Sequence, residues 1–294
     1  MDRLKKEVLA FSVLAFVLLI VSGAEQCSQT GISGISGIGG KTEAAKFGVD
    51  FALEQGIDKL SEGKTINQGD TFFVDIALEN YDSQAKTGEI CIRDDIDSAY
   101  GGIPNICKQF NLPAATYFNG VIQSPATLNL AFPESNDYFS YAGLPADINA
   151  KLYASLSYIQ HSSVSGAISA PSPETESSIT LQQPLSPLQL SLEKTISSRT
   201  DNVKANLKIT FSKQEGYNIT TTDFRREGLI FTPTLGNYNL DCTGLTQGFV
   251  DLKSTNFISC SAFLPREQIT HPILMNLDYG VKVNREIGFT IKKA

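Results

Sequence analysis

Tryptophan is absent from the 294-residue chain, and histidine and methionine occur only twice each. Without tryptophan there is no flat indole platform of the kind sugar-binding sandwiches use, and two histidines give little material for a nitrogen-rich metal centre. A basic excess is also missing. Lys and Arg number 24 against 31 Asp and Glu, a formal net charge of −7, so a nucleic-acid phosphate backbone finds no cationic face. No C-x-x-C pair occurs among the five cysteines, which argues against zinc-ribbon and thioredoxin-like sites. H-E-x-x-H and G-x-S-x-G are lacking as well. The run Gly37-Ile-Gly-Gly-Lys-Thr42 imitates the end of a phosphate-binding loop, but isoleucine stands at 35 where its first glycine is required, and no strand precedes it. Nucleotide binding is not expected.

What is present begins with a leader. Arg3, Lys5 and Lys6 precede an apolar run from Val8 to Val21 and the small residues Ser22-Gly23-Ala24, the pattern of a secretory signal peptide or membrane anchor over 1–24. Residues 25–45 read as a flexible Gly/Ser spacer. Cys27 stands between the two. A lipobox would need the cysteine directly after Val21-Ser22-Gly23, and Ala24-Glu25-Gln26 intervene. Cys27 is still the lipidation candidate, since a cysteine between an apolar run and a spacer suits a lipid handle. The other four cysteines fall in two close pairs, Cys91/Cys107 and Cys242/Cys260, expected as disulfides in an oxidising compartment. Under the chain-entropy model each loop closure contributes ~3 kcal/mol.

From residue 46 onward the pattern is β. Phe72, Val74, Ile76 and Leu78 alternate with Phe73, Asp75, Ala77 and Glu79, and Val203 to Phe211 alternate with Asn202 to Thr210, the period of a strand with one buried face. Further strands are expected at 126–132, 150–159, 228–233, 247–252, 273–279 and 286–292. The stretch 42–61 could pass for a helix, but Gly48, Gly56 and the alternation Val49-Phe51-Leu53 favour strand. Aligning Asp70 with Asp201 superposes the two apolar stripes. Cys107-x-x-Phe110 then matches Cys260-x-x-Phe263, and Leu156-Ser-Tyr158 matches Leu277-Asp-Tyr279. The ordered matches predict two copies of one β domain, 46–183 and 184–294, joined by the Pro-rich stretch 171–187. The expected fold class is all-β, two tandem immunoglobulin-like β-sandwiches after the N-terminal helix.

The segment Ile66-Asn-Gln-Gly-Asp-Thr-Phe-Phe-Val-Asp-Ile-Ala-Leu-Glu-Asn80, followed by Gly88-Glu-Ile-Cys-Ile92, resembles the opening of CARDB-type immunoglobulin-like domains. The second copy lacks the glycine and the closing asparagine. Leader, spacer and tandem sandwiches together are similar to archaeal cell-envelope proteins. The resemblance implies adhesion or structural roles outside the membrane and carries over no catalytic residues.

Candidate chemistry is sparse. Asp94, Asp95 and Asp97 are a weak calcium candidate, since closely spaced aspartates in a loop can hold Ca²⁺, though the D-x-D-x-D-G order is missing. A solvated turn is the simpler reading. Tyr138, Phe139 and Tyr141 suit core and edge packing. His161 and His271 are expected as surface polar residues. Asn218-Ile-Thr220 is a glycosylation sequon, making Asn218 the candidate acceptor. No catalytic residue and no cofactor are expected. The predicted role is a non-catalytic, membrane-anchored protein of the cell surface, held by its N-terminus and meeting a protein partner in the envelope. The loops 94–106, 111–125 and 213–227 are the expected contact surfaces. The alternative is a secreted hydrolase with a carboxylate site invisible as a motif.

Overall fold

The computed structural model describes residues 46–56, 59–118, 121–134, 137–170, 177–198, 202–265 and 269–294. The predicted leader, the spacer and Cys27 lie outside them. Residues 46–294 form one compact unit. Its first strands are β1 (Val49–Leu53), β2 (Thr65–Asn67), β3 (Thr71–Phe72), β4 (Val74–Asn80) and β5 (Lys86–Asp94). A 3-10 turn at Ser98–Tyr100 follows, then β6 (Ile106–Leu112), β7 (Thr116–Phe118), β8 (Val121–Ser124), β9 (Ala126–Phe132), β10 (Phe139–Ser140) and β11 (Ile148–Ala170). Next come β12 (Ser177–Ile179), β13 (Leu188–Ser198), β14 (Asn202–Lys213), β15 (Tyr217–Thr220) and β16 (Leu229–Leu235). The last four are β17 (Asp241–Thr243), β18 (Phe249–Val250), β19 (Phe257–Pro265) and β20 (Ile269–Lys292). The ambiguous stretch 42–61 thus yields a strand at 49–53.

Two large antiparallel sheets dominate. One runs β18-β16-β20-β11-β5-β6, with β15 and β2 also paired to β20; the other runs β12-β13-β14-β19-β17. A three-stranded sheet, β1-β4-β9, faces part of the first. Both apolar stripes lie on central strands, β4 between β1 and β9 and β14 between β13 and β19. Alternation has put Val74, Ile76 and Leu78, and Val203 through Phe211, into the core.

The axis of the molecule is a ribbon of two strands. β11 pairs with β20 without interruption from Ile148↔Ile291 to Ala170↔Ile269. Around it lies one continuous core with a lobe on either side. In the first, Phe72 stacks on Tyr141 at 5.1 Å and Tyr141 on Phe289 at 6.1 Å, so the end of β20 packs against strands from the start of the chain. In the second, Phe211 of β14 meets Phe231 of β16 edge-on at 5.3 Å.

The ribbon joins the expected domains 46–183 and 184–294 along the whole of β11. Half of β11 runs on into the second lobe, where Val164 and Ile168 are buried, while the end of β20 returns to the first with Val281, Phe289 and Ile291. The expected strands 273–279 and 286–292 are one strand. The ribbon also accounts for one landmark of the repeat. Ile159 pairs with Gly280, and Leu156-Ser-Tyr158 and Leu277-Asp-Tyr279 stand at the same distance before that pair, related by an approximate local two-fold.

The cysteines do not obey that symmetry. Cys91 and Cys107 are bonded across β5 and β6, and Cys242 and Cys260 across β17 and β19. The first bond lies on the outer face of its sheet, with Cys107 exposed. The second faces inward: Cys260 is 2% exposed, opposite the core residue Leu207. The matching positions in sequence are inequivalent in space, because β19 pairs with the stripe-bearing β14 whereas β6 belongs to the sheet opposite β4.

Candidate functional surfaces

Asparagine and aspartate side chains organise the turn after β4. Asn80, fully buried, donates to the carbonyls of Gln84 (2.9 Å) and Pro113 (2.6 Å) and accepts from Asp82 N at 2.9 Å. Asn80 is thus a turn-holder. Asp82 and Lys86 form an ion pair at 3.0 Å, both side chains buried (2% and 3% exposed). Gln160 of β11 donates to Asp82 Oδ2 at 2.7 Å. Gln160 pairs across the ribbon with Tyr279, so this polar cluster stands beside the local two-fold, where the lobes meet. Charges taken out of water are tolerated only with such pairing, and removal of one member leaves the other uncompensated.

The turn also roots a hairpin. Ala115 N donates to the Asp82 carbonyl at 2.8 Å, and Tyr117 Oη to the Tyr81 carbonyl at 2.6 Å. Strands β7 and β8 then project, and the residues flanking their tip, Phe118 and Val121, are 64% and 60% exposed. Burying such side chains is worth about 1.5–3 kcal/mol each, so leaving two side by side in water is unfavourable unless a surface covers them.

The other two expected contact loops are packed down. In 94–106, Ile103 is buried and the Tyr100 carbonyl accepts from Ala142 N at 3.0 Å. In 213–227, β15 pairs with β20, Tyr217 Oη donates to the Phe47 carbonyl at 3.0 Å, and Phe224 lies so close to Gly280 that a Cβ there would come within 2.7 Å of its ring. Of the three loops, 111–125 alone presents large apolar side chains to solvent among the described residues.

The three aspartates of the calcium candidate point to separate partners. Asp94 is buried and accepts from Ile96 N at 3.1 Å and Tyr141 Oη at 2.8 Å; burial holds its pKa above the ordinary carboxylate value. Asp95 accepts from Lys151 N at 2.8 Å, and Asp97 caps the 3-10 turn through Ala99 N at 2.8 Å. Each carboxylate accepts from a different backbone N–H. Among the described residues, the one triple of His, Cys, Asp or Glu ligand atoms within 4.8 Å of one another is Glu89, Cys91 and Cys107, and its sulfurs are joined to each other.

His161 is exposed and meets Asp278, its partner across the ribbon, at 2.5 Å. His271 departs from expectation. It is buried, edge-on to Tyr238 at 5.1 Å, with Nε2 lacking a hydrogen-bond partner. The alternation of β20 explains this, since 271 is in phase with the inward Ile273 and Met275. Asn218 is exposed on β15, on the outer face of the large sheet beside Lys282. Tyr141 is a core residue and Tyr138 is exposed. Two shallow concavities are mixed in lining: about 340 Å³ on the five-stranded sheet, around Lys204, Asn206 and Ser259, and about 320 Å³ around Glu89, Gln109, Ile159 and Phe224. No helix among the described residues is long and apolar enough to cross a membrane. The disulfides fit an oxidising, extracytoplasmic setting.

Neither a protein-family model nor a curated protein matches the chain.

Proposed function

We propose that this is a non-catalytic protein of the cell envelope, held at the membrane by its N-terminus and working by contact with a protein partner. Membership of the CARDB-type group and lipidation at Cys27 belong to the same proposal. The observation that carries it is the β7–β8 hairpin, where Phe118 and Val121 are exposed side by side while its base is tied to the buried Asn80–Asp82 turn. A rigidly based apolar projection loses little entropy on docking, which suits recognition. The narrow three-stranded sheet supports the loop as the contact, because both its edges are occupied. Lys108 Nζ donates to the Ala131 carbonyl on β9 at 2.5 Å, and Arg285 to the Phe51 carbonyl on β1. Cations on an edge discourage strand addition.

The test is a paired Phe118→Ser and Val121→Ser variant, cross-linked in native membranes beside the unaltered protein. Loss of about tenfold or more of the cross-linked partner is expected, the scale of a modest hot spot. Undiminished cross-linking removes the hairpin from the contact. Release of the unaltered protein from membranes by salt alone removes the anchor.

A further inference from the structure

The two disulfides differ in what surrounds them, and the difference has chemical consequences. Cys91–Cys107 lies on the outer face, with Cys107 exposed and Cys91 half-buried. Its neighbours are polar: Glu89 Oε1 at 3.6 Å from Cys91 Sγ, and Asn105 Nδ2 at 3.7 Å from Cys107 Sγ. A shallow concavity of mixed lining, Glu89 and Gln109 with Ile159 and Phe224, includes the Glu89 neighbour of the bond. Cys242–Cys260 is set inward, Cys260 in the core and Cys242 packed against it.

From this geometry we propose that Cys91–Cys107 is a thiol–disulfide exchange site, opened by an external dithiol while Cys242–Cys260 stays closed. The attacking thiolate must approach along the S–S axis, and access limits that attack. Cys107 Sγ offers the open approach. Its attack forms a mixed disulfide between the reagent and Cys107 and breaks the Cys91–Cys107 bond. Cys91 leaves as a thiolate and takes a proton from water. The reagent's second thiolate then attacks its own sulfur in the mixed disulfide and releases Cys107. The reagent departs as a disulfide, having supplied both electrons.

Opening the bond leaves the lobe intact. β5 and β6 remain paired from Lys86↔Leu112 to Ile92↔Ile106, and Ile90, Ile92, Phe110 and Leu112 stay buried on the other face. The site therefore cycles on a folded protein. The Glu89 carboxylate opposes it, since a negative charge repels the entering thiolate and disfavours the one leaving at Cys91. Gln109 Nε2, donating to Glu89 Oε2 at 2.7 Å, holds the carboxylate beside the bond.

The experiment treats the full-length protein with dithiothreitol under native conditions, quenches by alkylation at intervals and maps the labelled peptides. Cys91 and Cys107 are expected to label at least about tenfold faster than Cys242 and Cys260, with far-UV circular dichroism unchanged. Equal rates, or faster labelling of Cys242 and Cys260, overturn the proposal, as does loss of structure in step with labelling. Glu89→Gln is expected to quicken the first phase about threefold or more, on the scale of one exposed charge. An unchanged or slower phase overturns the role given to the carboxylate. A Cys91→Ser/Cys107→Ser variant that fails to fold also overturns the proposal, because a bond that the fold requires cannot cycle on a folded protein.

Discussion

The first lobe and the second protect their sheet edges by different means. In the first, the narrow sheet ends at β1 and β9, and a side chain from the facing sheet caps each edge: Arg285, which also bonds Asp50 at 2.6 Å, and Lys108. In the second, the five-stranded sheet ends in the three-residue strands β12 and β17, and a disulfide fastens β17. Lys108 shares the inward phase of Phe110 and Leu112, an inward charge on an edge strand that no second chain could bury cheaply. Where the sheet is narrow, long cationic side chains can span from the facing sheet to its edges. Where it is wide, short edge strands and a covalent bond do the same work.

Alkaline pH gives the largest test of whether the lobes are separable. Burial raises the pKa of Tyr117, Tyr141, Tyr158 and Tyr217, and pushes Tyr81 and the ribbon's Tyr279 up to about 12. Deprotonation charges a tyrosine, so a raised folded-state value means that the unfolded chain gives up its protons first. This contribution to stability is complete below the ordinary value of 10 and is lost as pH climbs from 10 through 12. The expected outcome is one cooperative unfolding in that window. Tyrosinate absorbance should rise in step with exposure of Phe211 and Phe231 in the second lobe. A second lobe that survives the first would break the comparison into two independent halves.

Lys86→Met comes next. It leaves Asp82 as an uncompensated buried charge and should cost about 3–5 kcal/mol in urea unfolding, most of it recovered by a further Asp82→Leu. Because Asp82 holds Gln160 at the ribbon, the loss should reduce hydrogen-exchange protection in both lobes. Protection lost in the first alone would mean that the cluster serves that lobe only.

Arg285→Ala has the smallest expected effect on stability, about 1–3 kcal/mol from the lost charge-assisted hydrogen bonds. Its sharper consequence is an uncovered β1 edge. Concentration-dependent self-association in size-exclusion chromatography should follow, and a strictly monomeric variant would show that the cation is not what guards this edge.

Much of this architecture was legible in the sequence. The stripe Val203–Phe211 announced a half-buried strand, and the cysteine spacing matched the bonded pairs. The side of the sheet on which each pair lies was not legible, because it depends on which sheet the strand joins. The unity of β20 was hidden as well. Gly280 and the run Asn284-Arg285-Glu286 have the composition of a turn, yet Gly280 is there because Phe224 occupies the space of a side chain, and Arg285 because β1 needs a cap. His271 was readable from its phase with Ile273 and Met275 once a continuous strand was assumed. Asp82 and Lys86 sit four apart in a polar turn, and nothing local foretells their burial, which comes from Gln160 and the second half of the chain.

The exchanged ends of the ribbon set the order in which the protein can be completed as it is made. Residues 280–292 are made after every other strand described, yet they carry Val281, Phe289 and Ile291 into the lobe that opens with β1. A nascent chain can assemble the β1-β4-β9 sheet early but has nothing to close it with until β20 has been made. A chain stalled before Gly280 therefore exposes the first lobe's apolar interior, however long its earlier strands have had to pair. Here the second half of β20 is the keystone, and the first lobe is sealed against chaperones and proteases only once that half is in place.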